Sequence, residues 1–134
     1  MKIMLDTNIL ISTALFPRGA AARAFQKSLM PPFEPVVCDY IIDELRRKFR
    51  EKFSNRTASL ETFMDRVLPH IGIVPTPRQR RLEEQNIRDV KDRPILRAAI
   101  NAHVDFLLTG DKDFLEASVP GLKMISVSEF LSMK

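Results

Sequence analysis

In 134 residues there are one cysteine, two histidines, four glycines, one tyrosine and no tryptophan. The lone Cys38 excludes an internal disulfide and a cysteine-rich zinc site. His70 and His103 are too few for a histidine-rich metal site. The glycines, at 19, 72, 110 and 121, are scattered and form no phosphate-cradling loop. Without tryptophan, and with nine Phe falling mostly on apolar stripes, the chain lacks a base-stacking platform of the single-strand-binding type. The longest apolar runs fall short of the ~20 residues of a membrane span. Residues 1–5 lead straight into Asp6, so no signal peptide is expected ahead of the fold. Charge of either sign is also modest. Lys and Arg number 21 against 17 Asp and Glu, a formal +4 that mildly favours an acidic partner without identifying one. What remains is 45% hydrophobic and 28% charged, the composition of one globular domain over 1–134.

Periodicity divides that domain. Residues 2–5 read as a short buried strand. An apolar stretch over 8–15 ends at Pro17-Arg18-Gly19, and a helical face over 20–30 ends at Pro31-Pro32. Residues 35–38 read as a second strand with Asp39 as N-cap behind it. Ile41, Leu45, Phe49 and Phe53 then recur every four residues, opposite Arg46, Arg47, Lys48, Arg50 and Lys52, which gives an amphipathic helix with a cationic face. A second helix is predicted over 57–68, a weak strand over 71–74 and a solvated helix over the charged stretch 78–86. Asp92-Arg93-Pro94 opens a helix carrying Ile95, Leu96, Ala99 and Ile100. A strand over 104–109, a short helix over 111–118, a strand over 122–127 and a final helix capped by Ser128 complete the order. Short strands alternating with helices predict a parallel sheet covered on both faces.

The acids carry the chemical signal. Asp6, Glu44 and the pair Asp111 and Asp113 each follow a predicted strand, and ligands of open α/β sheets bind at the strands' carboxyl ends. Asp92, ahead of the helix at Pro94, reaches the same rim. Carboxylates gathered there repel one another unless a cation sits among them. A hard divalent ion prefers such oxygen ligands and promotes phosphodiester displacement. Each acid also has a plainer reading: Asp6 or Asp92 as an N-cap, Asp111 and Asp113 as turn and capping residues, Glu44 paired with Lys48. Arg47 similarly has Glu51 as an i,i+4 partner, and Arg78, Arg80 and Arg81 form a second basic cluster suited to a phosphate backbone or to solvent.

The local sequences around these acids are Leu5-Asp6-Thr7-Asn8-Ile9-Leu10, Asp43-Glu44-Leu45, Asp92-Arg93-Pro94-Ile95-Leu96 and Leu108-Thr109-Gly110-Asp111-Lys112-Asp113-Phe114. In this order and spacing the chain resembles the PIN domain, the nuclease fold of VapC-type toxins, from Asp6 to the Ile-Ser-Val-Ser-Glu-Phe-Leu at 125–131. The resemblance implies a three-layer α/β/α fold with a parallel sheet of order 3-2-1-4-5. It implies an Mg²⁺- or Mn²⁺-dependent ribonuclease in which Asp6, Glu44, Asp92 and Asp111 hold the metal, with Asp113 as accessory acid. Asn8 and Thr109 match positions that orient the first acid and the metal-bound water.

The family often shows paired acids before the apolar helix. Here Lys91 stands where the second acid would be, Arg93 adds a positive charge beside Asp92, and Asp89 is read as a solvated loop residue. Arg46, Arg47, Arg50 and Arg93 are candidate RNA contacts. Further implications are a homodimer, a small antitoxin partner, a cytoplasmic location and cleavage to a 3′-hydroxyl and 5′-phosphate. Cys38 is read as a small buried hydrophobe, and neither histidine as catalytic. The alternative reading is a PIN-fold module that binds RNA or protein without turnover. A phosphatase using Asp-x-Asp after the first strand is disfavoured because Asn8 occupies the second acid's place.

Overall fold

A computed structural model describes residues 1–133. The chain alternates as β1 (Lys2–Leu5), α1 (Thr7–Leu15), α2 (Ala20–Ser28), β2 (Glu34–Cys38), α3 (Asp39–Lys52), α4 (Thr57–Val67), β3 (Gly72–Val74), α5 (Arg93–Asn101), β4 (Phe106–Leu108), α6 (Lys112–Leu115), β5 (Lys123–Ile125) and α7 (Val127–Ser132). Short 3-10 turns lie at 54–56, 68–70, 82–86 and 90–92. The five strands form one parallel sheet in the order β3-β2-β1-β4-β5, with helices on both faces. That is the three-layer α/β/α fold expected.

β1 is the central strand, with Ile3, Met4 and Leu5 fully buried. A strand covered on both faces has no polar side, which is why 3–5 read as a continuous apolar run. Met4 lies opposite Val36 on one side and Leu107 on the other. The chain leaves β1 toward β2 and later returns to pair β4 on β1's opposite edge. This reversal opens a crevice at the carboxyl ends of β1 and β4, and Asp6 and Thr109 are the next residues there. Around the sheet, α3 buries Ile41, Leu45 and Phe49, α4 buries Leu60 and Met64, and α5 buries Ile95, Leu96, Ala98 and Ala99. α7 is fastened by Phe130 against Phe33 (centroids 4.9 Å apart) and by Lys27, whose Nζ donates to the Phe130 and Met133 carbonyls.

Several local expectations change. Residues 78–86 form no solvated helix. Only 82–86 turn, as a 3-10 segment, because Glu84 in its middle is buried and gripped by Arg97. Ser126, not Ser128, caps α7, in a reciprocal capping box with Glu129. That cap stops β5 at Ile125, short of 127. The predicted helix 111–118 shrinks to the single turn of α6, and the strand over 104–109 to 106–108. The cap of α3 is Cys38. Asp39 is instead the first helical residue, and its Oδ1 accepts the N–H groups of Tyr40 and Thr76, which ties α3 to the chain leaving β3. Cys38 itself is fully buried, and burial pushes its thiol pKa up, the opposite of what a nucleophile needs.

Candidate active site

The site is assembled from the ends of β1 and β4, the second turn of α3 and the turn before α5. Asp6 is 3% exposed. Its Oδ1 accepts the Thr7 N–H at 2.8 Å, capping α1, and its Oδ2 accepts the Thr109 hydroxyl at 2.7 Å. Thr109, fully buried, also accepts the Asp111 N–H at 3.0 Å, and Asp111 Oδ1 caps α6 by accepting the Asp113 N–H at 2.8 Å. One relay of hydrogen bonds therefore fixes Asp6, Thr109, Asp111 and Asp113 relative to one another. The capping readings of Asp6 and Asp111 are correct, and the same bonds fix both carboxyl groups at the ends of β1 and β4.

Glu44 is nearly as buried as Asp6. One of its oxygens accepts the Thr7 hydroxyl, and Arg47 approaches the other at 3.7 Å. The pairings of Glu44 with Lys48 and of Arg47 with Glu51 are replaced by this i,i+3 contact. Thr7 thus joins two acids, its N–H on Asp6 and its hydroxyl on Glu44. Asp92 lies at the end of the 90–92 turn. Asp92, Asp111 and Asp113 each present a carboxylate oxygen within 4.8 Å of the others.

The charges register this crowding. Burial pushes Asp6 up to about 6, more than the Thr109 and Thr7 hydrogen bonds pull it down, and the charges of Glu44 and Asp111 add to the rise. Asp92 is pushed up to about 8 by partial burial, then by the closeness of the Asp111 carboxyl and by the charges of Asp111, Asp6 and Asp89. Asp6 and Asp92 have no Lys, Arg or His ion-pair partner among the described residues. Asp113 pairs with Arg88 at 3.1 Å. The chemistry of this donor set, oxygen-only and mutually repelling, fits a hard divalent cation.

Other candidate residues are dispersed. Asn8 is exposed and faces Lys48, 3.5 Å from its Nζ, while the bonds to Asp6 come from Thr7 and Thr109. Asp89 is an exposed loop residue, as read, and caps the 90–92 turn by accepting the Lys91 N–H. The cationic face of α3 splits in two. Arg46 and Arg50 face α4, where Arg46 pairs with Glu61 at 3.2 Å. Arg47, Lys48 and Lys52 instead line a cavity of about 550 Å³ with Glu44, Lys91 and Asp92. Arg93 turns away from the acids, and its Nε donates to the Ile87 carbonyl at 3.0 Å.

Sequence reasoning also passed over Tyr40, whose hydroxyl donates to the Lys91 carbonyl at 2.6 Å and steadies the turn bearing Asp92. A lone tyrosine in the first turn of a helix carries no sequence signal for that role. Thr7, by contrast, sits inside the Asp-Thr-Asn motif.

Comparison with known proteins follows the same lines. The PIN domain profile matches residues 2–113. No curated protein matches the chain in sequence. Among solved structures, the chain is similar to VapBC2 from Rickettsia felis bound to a DNA fragment from its promoter, with TM-score 0.72, 16% identity, and coverage of 94% of this chain and 98% of that one. DNA-bound VapBC from Salmonella typhimurium gives TM-score 0.69 and 15% identity over 95% and 98% of the two chains. Mycobacterium tuberculosis VapC20, a toxin that cleaves the sarcin-ricin loop, gives TM-score 0.56 and 14% identity over 78% and 86%. At such identities the likeness is one of fold, and it agrees with the profile match that covers most of the sequence: the chain belongs to the PIN domain family.

Proposed function

We propose that this protein is a divalent-metal-dependent ribonuclease that hydrolyses RNA phosphodiester bonds and serves as the toxin of a toxin–antitoxin pair. The observation that carries the reading is the cluster of Asp92, Asp111 and Asp113 at the end of the central strands, joined through Thr109 to the buried Asp6, with Asp6 and Asp92 pushed far above the usual carboxylate range. A binding module has no need to hold acids at such a cost, whereas a metal nuclease does.

In this reading Asp6, Glu44, Asp92 and Asp111 hold Mg²⁺ or Mn²⁺, with Asp113 as the accessory acid. The bound ion supplies a Lewis acid and a nucleophilic water near neutral pH. The chain's own part is positional. Thr109 and Thr7 hold Asp6 from both sides, Thr7 holds Glu44, and Tyr40 holds the backbone at Lys91. Arg47, Lys48 and Lys52 surround the approach and draw in a phosphate backbone. The toxin role and an antitoxin partner are supported by similarity to VapBC assemblies, whose names pair such a fold with a second protein. The homodimer and cytoplasmic site of action belong to the same proposal. No described helix is long and apolar enough to cross a membrane.

The test is cleavage of RNA by the purified protein with Mg²⁺ or Mn²⁺, with product ends mapped, against EDTA and against Asp6→Asn. Cleavage to 5′-phosphate ends that stops in both controls supports the reading. Equal cleavage in EDTA overturns the metal mechanism, and RNA binding without cleavage in every divalent ion overturns the enzyme in favour of a binding module.

A further inference from the structure

The second basic cluster, at 78–81, is not used by the acid site. The structure nevertheless builds it into a defined cavity against α5. Two adjoining cavities, of about 280 and 340 Å³, share Arg80, Arg81 and Arg97 as lining, and Arg93 closes the first. Their acids are already engaged. Glu84 is held bidentately by Arg97, at 2.7 and 3.1 Å, and Glu83 pairs with Arg81 at 3.3 Å. Arg80 and Arg93 have no carboxylate partner among the described residues, and the only side-chain bond of Arg93 there is its Nε to Ile87. Arg97, 12% exposed and also donating to the Pro77 carbonyl at 2.8 Å, is a rigid back wall. The first turn of α5, with its positive helix end, lies along the same cavity through Arg93 and Pro94.

The wall between this cavity and the acid site is the 90–92 turn. Asp92 and Lys91 face the cavity beside the acids, while Val90 and Arg93 face the arginine cavity. A strand crossing that turn passes directly from one to the other. We infer that the arginine cavity between residues 79–85 and α5 is a second phosphate subsite, which holds the backbone of single-stranded RNA next to the phosphodiester at the acid site. This rests on the nuclease reading for its substrate class. Planar guanidinium groups suit phosphate oxygens, and the few aromatic residues leave the backbone as what is recognised.

The test is binding of a fluorescent single-stranded oligoribonucleotide in EDTA, where no metal-dependent turnover intervenes, as a function of salt. Arg80 is exposed and makes no hydrogen bond or ion pair among the described residues, but its charge helps hold the Glu84 carboxyl down; with Arg80→Gln as the control that puts no second carboxylate beside Glu84, Arg80→Glu is checked for an intact fold by its thermal unfolding. It is expected to weaken binding roughly tenfold and to make the dependence of log K on log salt shallower by about 0.7, the value of one single-strand phosphate contact. Arg80→Lys is expected to keep the salt slope, because the charge remains, and to lose less affinity than Arg80→Glu. In cleavage, Arg80→Glu raises KM for the oligonucleotide with little change in kcat. Unchanged affinity and slope in Arg80→Glu overturn the inference, as does an Arg80→Lys loss equal to that of Arg80→Glu. Tighter wild-type binding to a polyglutamate peptide than to RNA of equal charge overturns it in favour of an acidic protein segment. If the wild type cleaves no RNA in any divalent ion while the Arg80 dependence persists, the nuclease reading fails and the subsite stands.

Discussion

Asp6 and Glu84 are equally inaccessible to solvent, 3% exposed each, but Asp6 lies far deeper among protein atoms, and their carboxyl groups have moved in opposite directions. Burial raises both, but at Glu84 the hydrogen bonds from Arg97 and the Arg81 N–H outweigh it and hold the group below the usual range. Asp6 has hydrogen bonds from Thr7 and Thr109 and no ion-pair partner among the described residues, so burial and the neighbouring acids win. The first arrangement is complete within the protein and fastens the 82–86 turn onto α5. The second has no positive charge paired with it among the described residues. A buried acid gripped bidentately by its own arginine, as Glu84 is by Arg97, is architecture. A buried acid among other acids marks where something from outside is meant to bind.

The largest test of that contrast is to change each acid's partner structure. Asp6→Asn retains the cap on α1 and removes one charge from the cluster. Cleavage is expected to fall by at least about a hundredfold, since even residues that merely support a metal ligand cost that much, while the fold in EDTA remains at least as stable. Product formation against time, alongside urea unfolding, measures both. Arg97→Ala does the reverse. It strands Glu84 without its cation, so stability is expected to drop by about 3 kcal/mol, as when one member of a buried pair is removed. Cleavage per folded molecule should survive far better than in Asp6→Asn, and a variant as inactive as Asp6→Asn with an intact fold would break the distinction.

The two acids should also leave opposite marks on the pH dependence of stability. The raised group at Asp6 keeps its proton in the folded chain after the unfolded chain has released it. Metal-free stability therefore falls as pH rises from about 4 to about 6, by about 3 kcal/mol for this group. Asp92 extends the fall toward pH 8. Glu84, lowered, stabilises the fold above its ordinary value near 4.5, and that contribution is lost as pH falls below it. Urea midpoints in EDTA across pH 3.5–8.5 should show both limbs. Asp6→Asn flattens the upper one and leaves the lower one in place, and Mg²⁺ lifts the upper limb by adding the missing charge. An upper limb unaltered in Asp6→Asn would remove Asp6 as its source. The smallest effect is expected from Tyr40→Phe, which deletes the hydrogen bond to the Lys91 carbonyl. About 1 kcal/mol is at stake, read as a severalfold loss of kcat with KM nearly unchanged. Equal kcat in both proteins would show that Asp92 is held without Tyr40.

Much of this was legible from residue order. β1 reads as buried because 3–5 carry no polar residue, and α3 reads as a helix because Ile41, Leu45 and Phe49 recur at its period. Asp6 and Asp111 announce themselves because each follows a strand and begins a helix, a local arrangement visible in a few letters. The segment 78–86 was misread for the complementary reason. Its local composition is that of a solvated helix, and its actual state depends on Arg97, more than ten residues away, meeting Glu84. The α3 arginines were separable only in three dimensions. Arg46 and Arg47 are adjacent in sequence, yet one meets α4 and the other meets Glu44.

Strand and helix order, the buried stripes and the acids that end up at the carboxyl ends of the strands follow from residue order alone, because they depend on periodicity and on contacts between near neighbours. The folded arrangement of distant segments set which charges meet. It gave Glu84 a cation, withheld one from Asp6 and Asp92, linked Asp6 to Thr109 across 103 positions, and turned Arg93 from the acid site into the arginine cavity. Those outcomes are set by long-range approach in a low-dielectric interior. There a few ångströms decide whether a carboxylate is satisfied or left for a metal.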